Sequence, residues 1–165
     1  MPYIEGLKYD TLGMFHELLQ PGNYMVALDQ KSCYFHFRLR PDLWRFLGLE
    51  WKDQLYVATV LPFGLSLACS AVTDLMGAVW WLLRSHGIPL IYMIDDVGFT
   101  ARTFDASLSQ LRTAALLLSA LGFIPSFEKC QLIPSQQLKL LGFLLAAHAP
   151  CAPTYPLTRQ ITSAT

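Results

Sequence analysis

The chain has no charge excess: twelve basic and twelve acidic residues leave its 165 residues neutral with histidine uncharged. The basic surface by which many nucleic-acid partners declare themselves is therefore missing. No apolar run reaches the roughly 20 residues that a helix needs to cross a bilayer. The longest stretches, 114–124 and 75–83, fall short, so no membrane partner is expected. Met1-Pro2-Tyr3-Ile4-Glu5 lacks a basic stretch followed by an apolar segment and a small-residue cleavage site. A secretory leader is not expected and an intracellular setting is, with cytoplasm and nucleus undistinguished. Cys33, Cys69, Cys130 and Cys151 contain no Cys-x-x-Cys pair, and the four histidines form no matching ligand set. That pattern reads as reduced thiols, not a zinc site or a disulfide framework. Internal repeats and low-complexity segments are also absent.

Charged residues are scarce at 15% against 53% apolar. Such a composition is greasy for a complete domain and suggests apolar surface that belongs against absent partners, so the chain is expected to be a fragment built on one domain.

Asp10 or Thr11 can cap a helix that reaches Leu19, with Pro21-Gly22 as its stop. Residues 24–29 and 33–39 read as strands, and 45–51 with 55–61 as a hairpin around Lys52-Asp53-Gln54. Ser66 or Ser70 opens a helix whose Val72, Leu75, Met76, Val79, Trp80 and Leu83 recur at three and four, and Gly87 ends it. Next come a hairpin at 89–94 and 97–101, a helix at 105–121 closed by Gly122, and strands at 130–133 and 138–145. Beyond residue 145 periodicity is lost. The order predicts an α+β domain, an antiparallel sheet with helices packed on one face.

Into the apolar run Ile91-Tyr92-Met93-Ile94-Asp95-Asp96-Val97-Gly98-Phe99 the sequence sets two adjacent carboxylates. Burying them unpaired costs several kcal/mol each, which a water-exposed turn or a divalent metal held by oxygen ligands would offset. The metal becomes preferable because Asp29 ends another apolar run, Tyr24-Met25-Val26-Ala27-Leu28-Asp29. Strand ends carrying Asp29 and Asp95 can lie adjacent and hold two Mg²⁺ ions about 4 Å apart, an arrangement suited to nucleotidyl transfer.

Four blocks then carry a resemblance. They are Leu28-Asp29-Gln30-Lys31-Ser32-Cys33-Tyr34-Phe35, Leu61-Pro62-Phe63-Gly64-Leu65-Ser66-Leu67-Ala68, Met93-Ile94-Asp95-Asp96, and Leu121-Gly122-Phe123 with Glu128-Lys129-Cys130 and Leu140-Leu141-Gly142-Phe143. In that order they resemble the palm of a reverse transcriptase, most similar to retrotransposon enzymes of the gypsy-like and DIRS-like groups, over residues 6–145. The resemblance implies that Asp29 and Asp95 hold two Mg²⁺ ions (Mn²⁺ being a substitute), with the Gln30 carbonyl assisting and Asp96 at the same site. It makes Tyr34 the ribose gate and sets Phe63 and Gly64 against the nascent base pair. Lys129 becomes either the acid that protonates pyrophosphate or a solvated surface lysine, and Leu141 and Gly142 the primer grip. The implied partners are an RNA or DNA template with its primer, and deoxynucleoside triphosphates. Residues 1–148 would be palm with incomplete fingers and 149–165 a cut-short thumb, the rest of the fingers, the thumb and a ribonuclease H region belonging to a parent polyprotein.

Two departures matter. Met93 holds the place of the motif tyrosine, and Tyr92, one residue earlier, should face the other side of the sheet. Strand alternation also forbids Asp95 and Asp96 to point the same way unless the turn re-aims one. An inert remnant or a repurposed interaction domain is the alternative function, and the fragment alone is expected to be weak or inactive. Leu61-Pro62-Phe63-Gly64 disfavours a group II intron or telomerase-type enzyme.

Overall fold

The computed structural model describes residues 10–65 and 67–147. The tail expected to begin a thumb, 149–165, and Ser66, one of two expected helix caps, lie outside them.

Helix α1 (Leu12–Leu18) starts where the Thr11 hydroxyl accepts a hydrogen bond from the Met14 amide at 3.3 Å. Strand β1 (Tyr24–Asp29) follows. Residues 33–39, expected as a strand, are corrected by the structure. Ser32 adopts a left-handed backbone (φ 53°) and Cys33–His36 forms a 3₁₀ turn. The amides of Phe35 and Phe37 bond to the carbonyls of Ser32 and Tyr34 at 2.9 and 3.2 Å, so they need no ladder partner. The expected strand at 45–51 likewise begins late, because Pro41–Phe46 is a 3₁₀ turn opened by proline.

Strands β2 (Gly48–Trp51) and β3 (Gln54–Val57) form the expected hairpin, its turn residues Lys52 and Asp53 at φ 50° and 58°. Helix α2 (Ala68–Ser85) precedes β4 (Leu90–Met93) and β5 (Asp96–Ala101). Helix α3 (Phe104–Ala120) is capped by Thr103, whose hydroxyl accepts from the Ala106 amide at 3.2 Å. Gly122, at φ 86°, lets the amides of Gly122 and Phe123 turn back onto the carbonyls of Ser119 and Leu118 and so close α3. Strand β6 (Gln131–Ser135) completes the main sheet. The single strand expected at 138–145 is instead a hairpin, β7 (Gln137–Leu140) and β8 (Phe143–Ala146), folded at Leu141 and Gly142 with φ 51° and 78°.

The main sheet has the order β4-β5-β1-β6, antiparallel throughout. Strand alternation divides its side chains into two layers. Val26, Leu28, Leu90, Val97 and Phe99 pack with Val72, Met76, Trp80, Leu111, Ala114 and Leu118 from α2 and α3. Met25, Ala27 and Ile91 pack on the other face with Phe15 of α1 and with Leu138, Leu140 and Leu145 of the β7–β8 hairpin. The two long helices therefore cover one face as expected, and α1 with the hairpin covers the other. Full burial of side chains such as Trp80, Phe15 and Phe99 is worth about 2 to 3 kcal/mol apiece.

Two features stand off this body. The β2–β3 hairpin is exposed along its whole length, Leu55 at 86% and Trp51 at 62%. At the outer edge of β4, Asp10 accepts the Tyr92 amide at 3.1 Å and pairs with Arg84, while Arg84 donates to the Leu90 carbonyl at 2.9 Å. No helix of the described residues is long and apolar enough to cross a membrane.

Gly98 lets the second layer seat. A Cβ there would lie 2.6 Å from Leu140 Cδ2 and 3.5 Å from Phe15 Cζ. Gly98→Ala should therefore destabilise the fold by about 1 to 3 kcal/mol, seen as a drop of several degrees in melting temperature. Gly98→Ala combined with Leu140→Ala should cost less than the sum of the two single changes, since the second removes the clashing methyl. Strict additivity would show that the hairpin does not press on Gly98.

Candidate active site

Asp29 ends β1 and lies opposite Asp96, the first residue of β5. The Asp29 amide donates to Cys130 Sγ at 3.3 Å and its carbonyl accepts from the Ser126 amide at 2.8 Å, both on the side away from β5. Asp29 and Asp96 are thus a non-hydrogen-bonded pair, the kind whose α-carbons approach to about 4.5 Å and whose side chains are closest. Both share the face that carries Ala27 and Gly98, beneath the β7–β8 hairpin. Asp95 sits in the β4–β5 turn, where Ile94 takes φ 58° and the Asp95 carbonyl accepts from the Gln30 amide at 3.2 Å. A β-branched residue in left-handed backbone is strained, and strain of this kind gathers at functional turns. Here it re-aims the tip of the hairpin, and the charge of Asp95 reaches both Asp29 and Asp96.

The consequence is electrostatic. Burial, then the charges of Asp29 and Asp95, pushes Asp96 up to about 6, helped by a side-chain hydrogen bond with Asp29. Burial also raises Asp95, opposed by its own backbone amide, with Asp29 adding to the rise and Lys129 countering it. Lys129 Nζ lies 3.8 Å from Asp29 Oδ2 from an exposed position. One screened ammonium does not balance three carboxylates.

A cavity of about 440 Å³ opens over Asp29 and Asp96. Glu128, Lys129, Lys139, Leu141 and Gly142 are among its walls. Three of the expected site residues, Asp29, Asp96 and Lys129, and both expected primer-grip positions are therefore close together, with Asp95 at the adjoining turn. Among the described residues, the lining does not include Asp95, Gln30, Tyr34, Phe63 or Gly64.

Those last three form a second cluster. Tyr34 is buried at the Cys33–His36 turn and packs in the helix-side core. Its ring centroid lies 4.8 Å from that of exposed Phe63, and its hydroxyl is 3.1 Å from Cys69 Sγ at the start of α2. Gly64 follows at φ 85°. Gln30 joins the clusters: its buried Oε1 accepts from Cys33 Sγ at 3.8 Å. Burial and the charges of Asp95 and Asp29 push the Cys33 thiol up to about 12, so it stays protonated. Tyr92 turns away from the cavity as expected, its ring 6.0 Å from Trp80 and 5.5 Å from the Arg84 guanidinium. Met93, paired with Asp96, occupies the carboxylate face.

Sequence reasoning did not find Glu128 and Lys139 as cavity walls, nor the thiols of Cys69 and Cys130 as partners of Tyr34 and Asp29. A lone cysteine carries no spacing signal, and only the tertiary contact reveals its partner.

The donor set suits a hard cation. Oδ1 of Asp29 is buried without a hydrogen-bond partner, and clustered carboxylate oxygens are what Mg²⁺ prefers. Among the described residues, no group of three or more Asp, Glu, His or Cys side chains is placed to hold a metal ion. Mg²⁺ does not require one, since it takes one or two carboxylates and completes its shell with water and phosphate oxygens.

Residues 8–145 match the family model described as reverse transcriptase (RNA-dependent DNA polymerase). No curated protein matches. Among solved structures, the foamy viral protease-reverse transcriptase in complex with dsDNA is 22% identical, with a TM-score of 0.75 over 88% of this chain and 29% of that one. The same viral protein in complex with RNA/DNA hybrid is 23% identical, with a TM-score of 0.68 over 88% and 19%. The native Prototype Foamy Virus protein is 17% identical, with a TM-score of 0.73 over 93% and 20%. These likenesses carry the fold, and the chain spans less than a third of each of the three proteins.

Asp96 yields a test in pH. Its folded-state value of about 6 lies above its ordinary 3.8, so the folded chain holds the extra proton. The stability this contributes is complete below about pH 4 and lost as pH rises through about 6. Asp96→Asn should therefore melt roughly 3 °C above the wild type at pH 8, and the two should converge near pH 4. Equal melting temperatures at pH 8 would show that the carboxylates do not repel one another.

Proposed function

The chain belongs to the reverse transcriptase family, and on that premise we propose that it is the palm of an RNA-directed DNA polymerase from a retroelement, joining deoxynucleotides to a primer 3′ end. The observation that carries this reading is the close Asp29–Asp96 pair, with Asp95 at the neighbouring turn, beneath the Leu141–Gly142 hairpin. Asp29, Asp95 and Asp96 would hold Mg²⁺, as one or two ions with Mn²⁺ as a substitute. When bound, the metal would make the primer hydroxyl more acidic and neutralise charge growing on the phosphates. The Gln30 carbonyl assists that set.

The chain's own groups do the rest. Leu141 and Gly142, at the turn over the carboxylates, support the primer end, and Lys129 gives a proton to the departing pyrophosphate oxygen. The Tyr34 ring, held between Phe63 and α2, lies beneath the sugar and leaves no room for a 2′-hydroxyl. Phe63, at 63% exposure, offers a face to the nascent base pair, and Gly64 lets the backbone approach it. An RNA or DNA template and its primer are the partners. Two of the structural neighbours, the foamy viral proteins in complex with dsDNA and with RNA/DNA hybrid, support this.

On this reading the described residues, 10–65 and 67–147, are the palm. The 165-residue chain alone should give little primer extension, because palm carboxylates neither clamp a triphosphate nor hold a duplex. Joined to fingers and thumb sequence, it should extend a DNA primer on an RNA template. Asp95→Asn should then lower the rate about a thousandfold, or ~4 kcal/mol. Extension undiminished by that change would overturn the metal-ligand assignment.

In the same extended protein, Tyr34→Val should lower the preference for deoxy- over ribonucleotides on the order of a hundredfold. Catalytic efficiencies for the deoxy and ribo forms of one nucleotide provide the measure. An unchanged ratio in an active, folded variant would reduce Tyr34 to a packing residue.

A further inference from the structure

We propose that the Cys130 thiol is the positioning group of Asp29, acting as a ladder rung that its own backbone cannot supply. The β1–β6 ladder pairs Met25 with Ser135 and Ala27 with Gln131, with a register shift between them, and breaks off around Asp29 before Gln30 bridges to Pro125. Beyond Gln131 the chain curls into a turn in which the amides of Lys129 and Cys130 both donate to the Ser126 carbonyl, at 2.9 and 3.1 Å. The Cys130 amide is thus committed elsewhere. Asp29 would be left at the end of β1 with an amide facing this side and no backbone acceptor for it.

The side chain fills the gap. Cys130 Sγ accepts the Asp29 amide at 3.3 Å and donates to the Asp29 carbonyl at 3.6 Å, while the Ser126 amide donates to the same carbonyl at 2.8 Å. A thiol can do both because it is a weak donor and a weak acceptor. Its longer bonds suit a site where strand and turn have already separated. The rung also sets relative position: Lys129, the adjacent residue, lies 3.8 Å from Asp29 Oδ2, and Asp96 faces Asp29 from β5. Losing the rung frees the carboxylate from both neighbours at once.

The inference rests on the proposed metal-binding role of Asp29 only in its second readout. The first is amide hydrogen exchange at Asp29 in the full 165-residue chain without metal. The second is the chain's affinity for Mn²⁺, followed by the electron paramagnetic resonance of the free ion. Cys130→Val fills the same space without a polar atom, and Cys130→Ser restores one that can accept and donate.

Cys130→Val should speed exchange at the Asp29 amide about tenfold and weaken Mn²⁺ binding about tenfold, the lower range for loss of a group that supports a metal ligand. Amides in the middle of β1 and the melting temperature should barely move. Cys130→Ser should recover most of both changes. If Cys130→Val matches the wild type in Asp29 exchange, or if Cys130→Ser behaves no better than valine, the rung is overturned. Asp29→Asn separates the two ideas: unchanged Mn²⁺ binding in that variant would remove the metal reading, while Asp29 exchange in the Cys130 variants would still decide the rung.

Discussion

The structure depends on holding like charges together. Asp29 and Asp96 face each other across two paired strands at the spacing where side chains come closest, and Asp95 adds a third carboxylate from the turn. Left alone, such a cluster would pull the strand ends apart. It is tolerated because the sheet beneath is packed on both faces, by α2 and α3 on one and by α1 and the β7–β8 hairpin on the other. The strain at Ile94 is absorbed by the same scaffold. The repulsion that destabilises this end of the sheet also makes it electronegative.

The two faces divide the work. The carboxylates and the Leu141–Gly142 turn share the face of the β7–β8 hairpin, whereas Tyr34 is anchored in the helix-side core and contacts Phe63 and Cys69. Residue 30 lies where these meet, its amide on Asp95 and its side chain on Cys33. Under the proposed function, a nucleotide would meet its phosphate contacts in one layer and its sugar contact in the other. Damage to either layer should then be separable in kinetics.

Much of this was legible in the chain. A short apolar run marked residues 24–29 as a strand, and apolar recurrence at three and four marked both long helices to within a few residues. The alternation argument placed Tyr92 on the face opposite Met93, which the structure shows to be the helix side. Residues 33–39 misled because Cys33, Phe35, Phe37 and Leu39 alternate like a strand, while the left-handed turn at Ser32 has no signature in a serine. Leu141 hid the β7–β8 turn from periodicity for the same reason, and only the resemblance named it. Asp96, which alternation let point with Asp95 only if the turn re-aimed one of them, is brought opposite Asp29 by register: the turn takes up Ile94 and Asp95, so β5 starts one residue earlier than the pattern suggested. The thiol contacts were beyond reach, since they join residues 101 and 35 positions apart.

The outer edge of β4 carries a consequence of another kind. A strand at the margin of a sheet presents free amides and carbonyls on which another extended chain can crystallise its own pairing. Here the carboxylate of Asp10 occupies the Tyr92 amide and the guanidinium of Arg84 occupies the Leu90 carbonyl. One ion pair thus imitates a missing neighbour, donor for donor and acceptor for acceptor. Among the described residues the sheet grows no further on that side, and the edge groups of the strand leading into Asp95 are engaged by this pair.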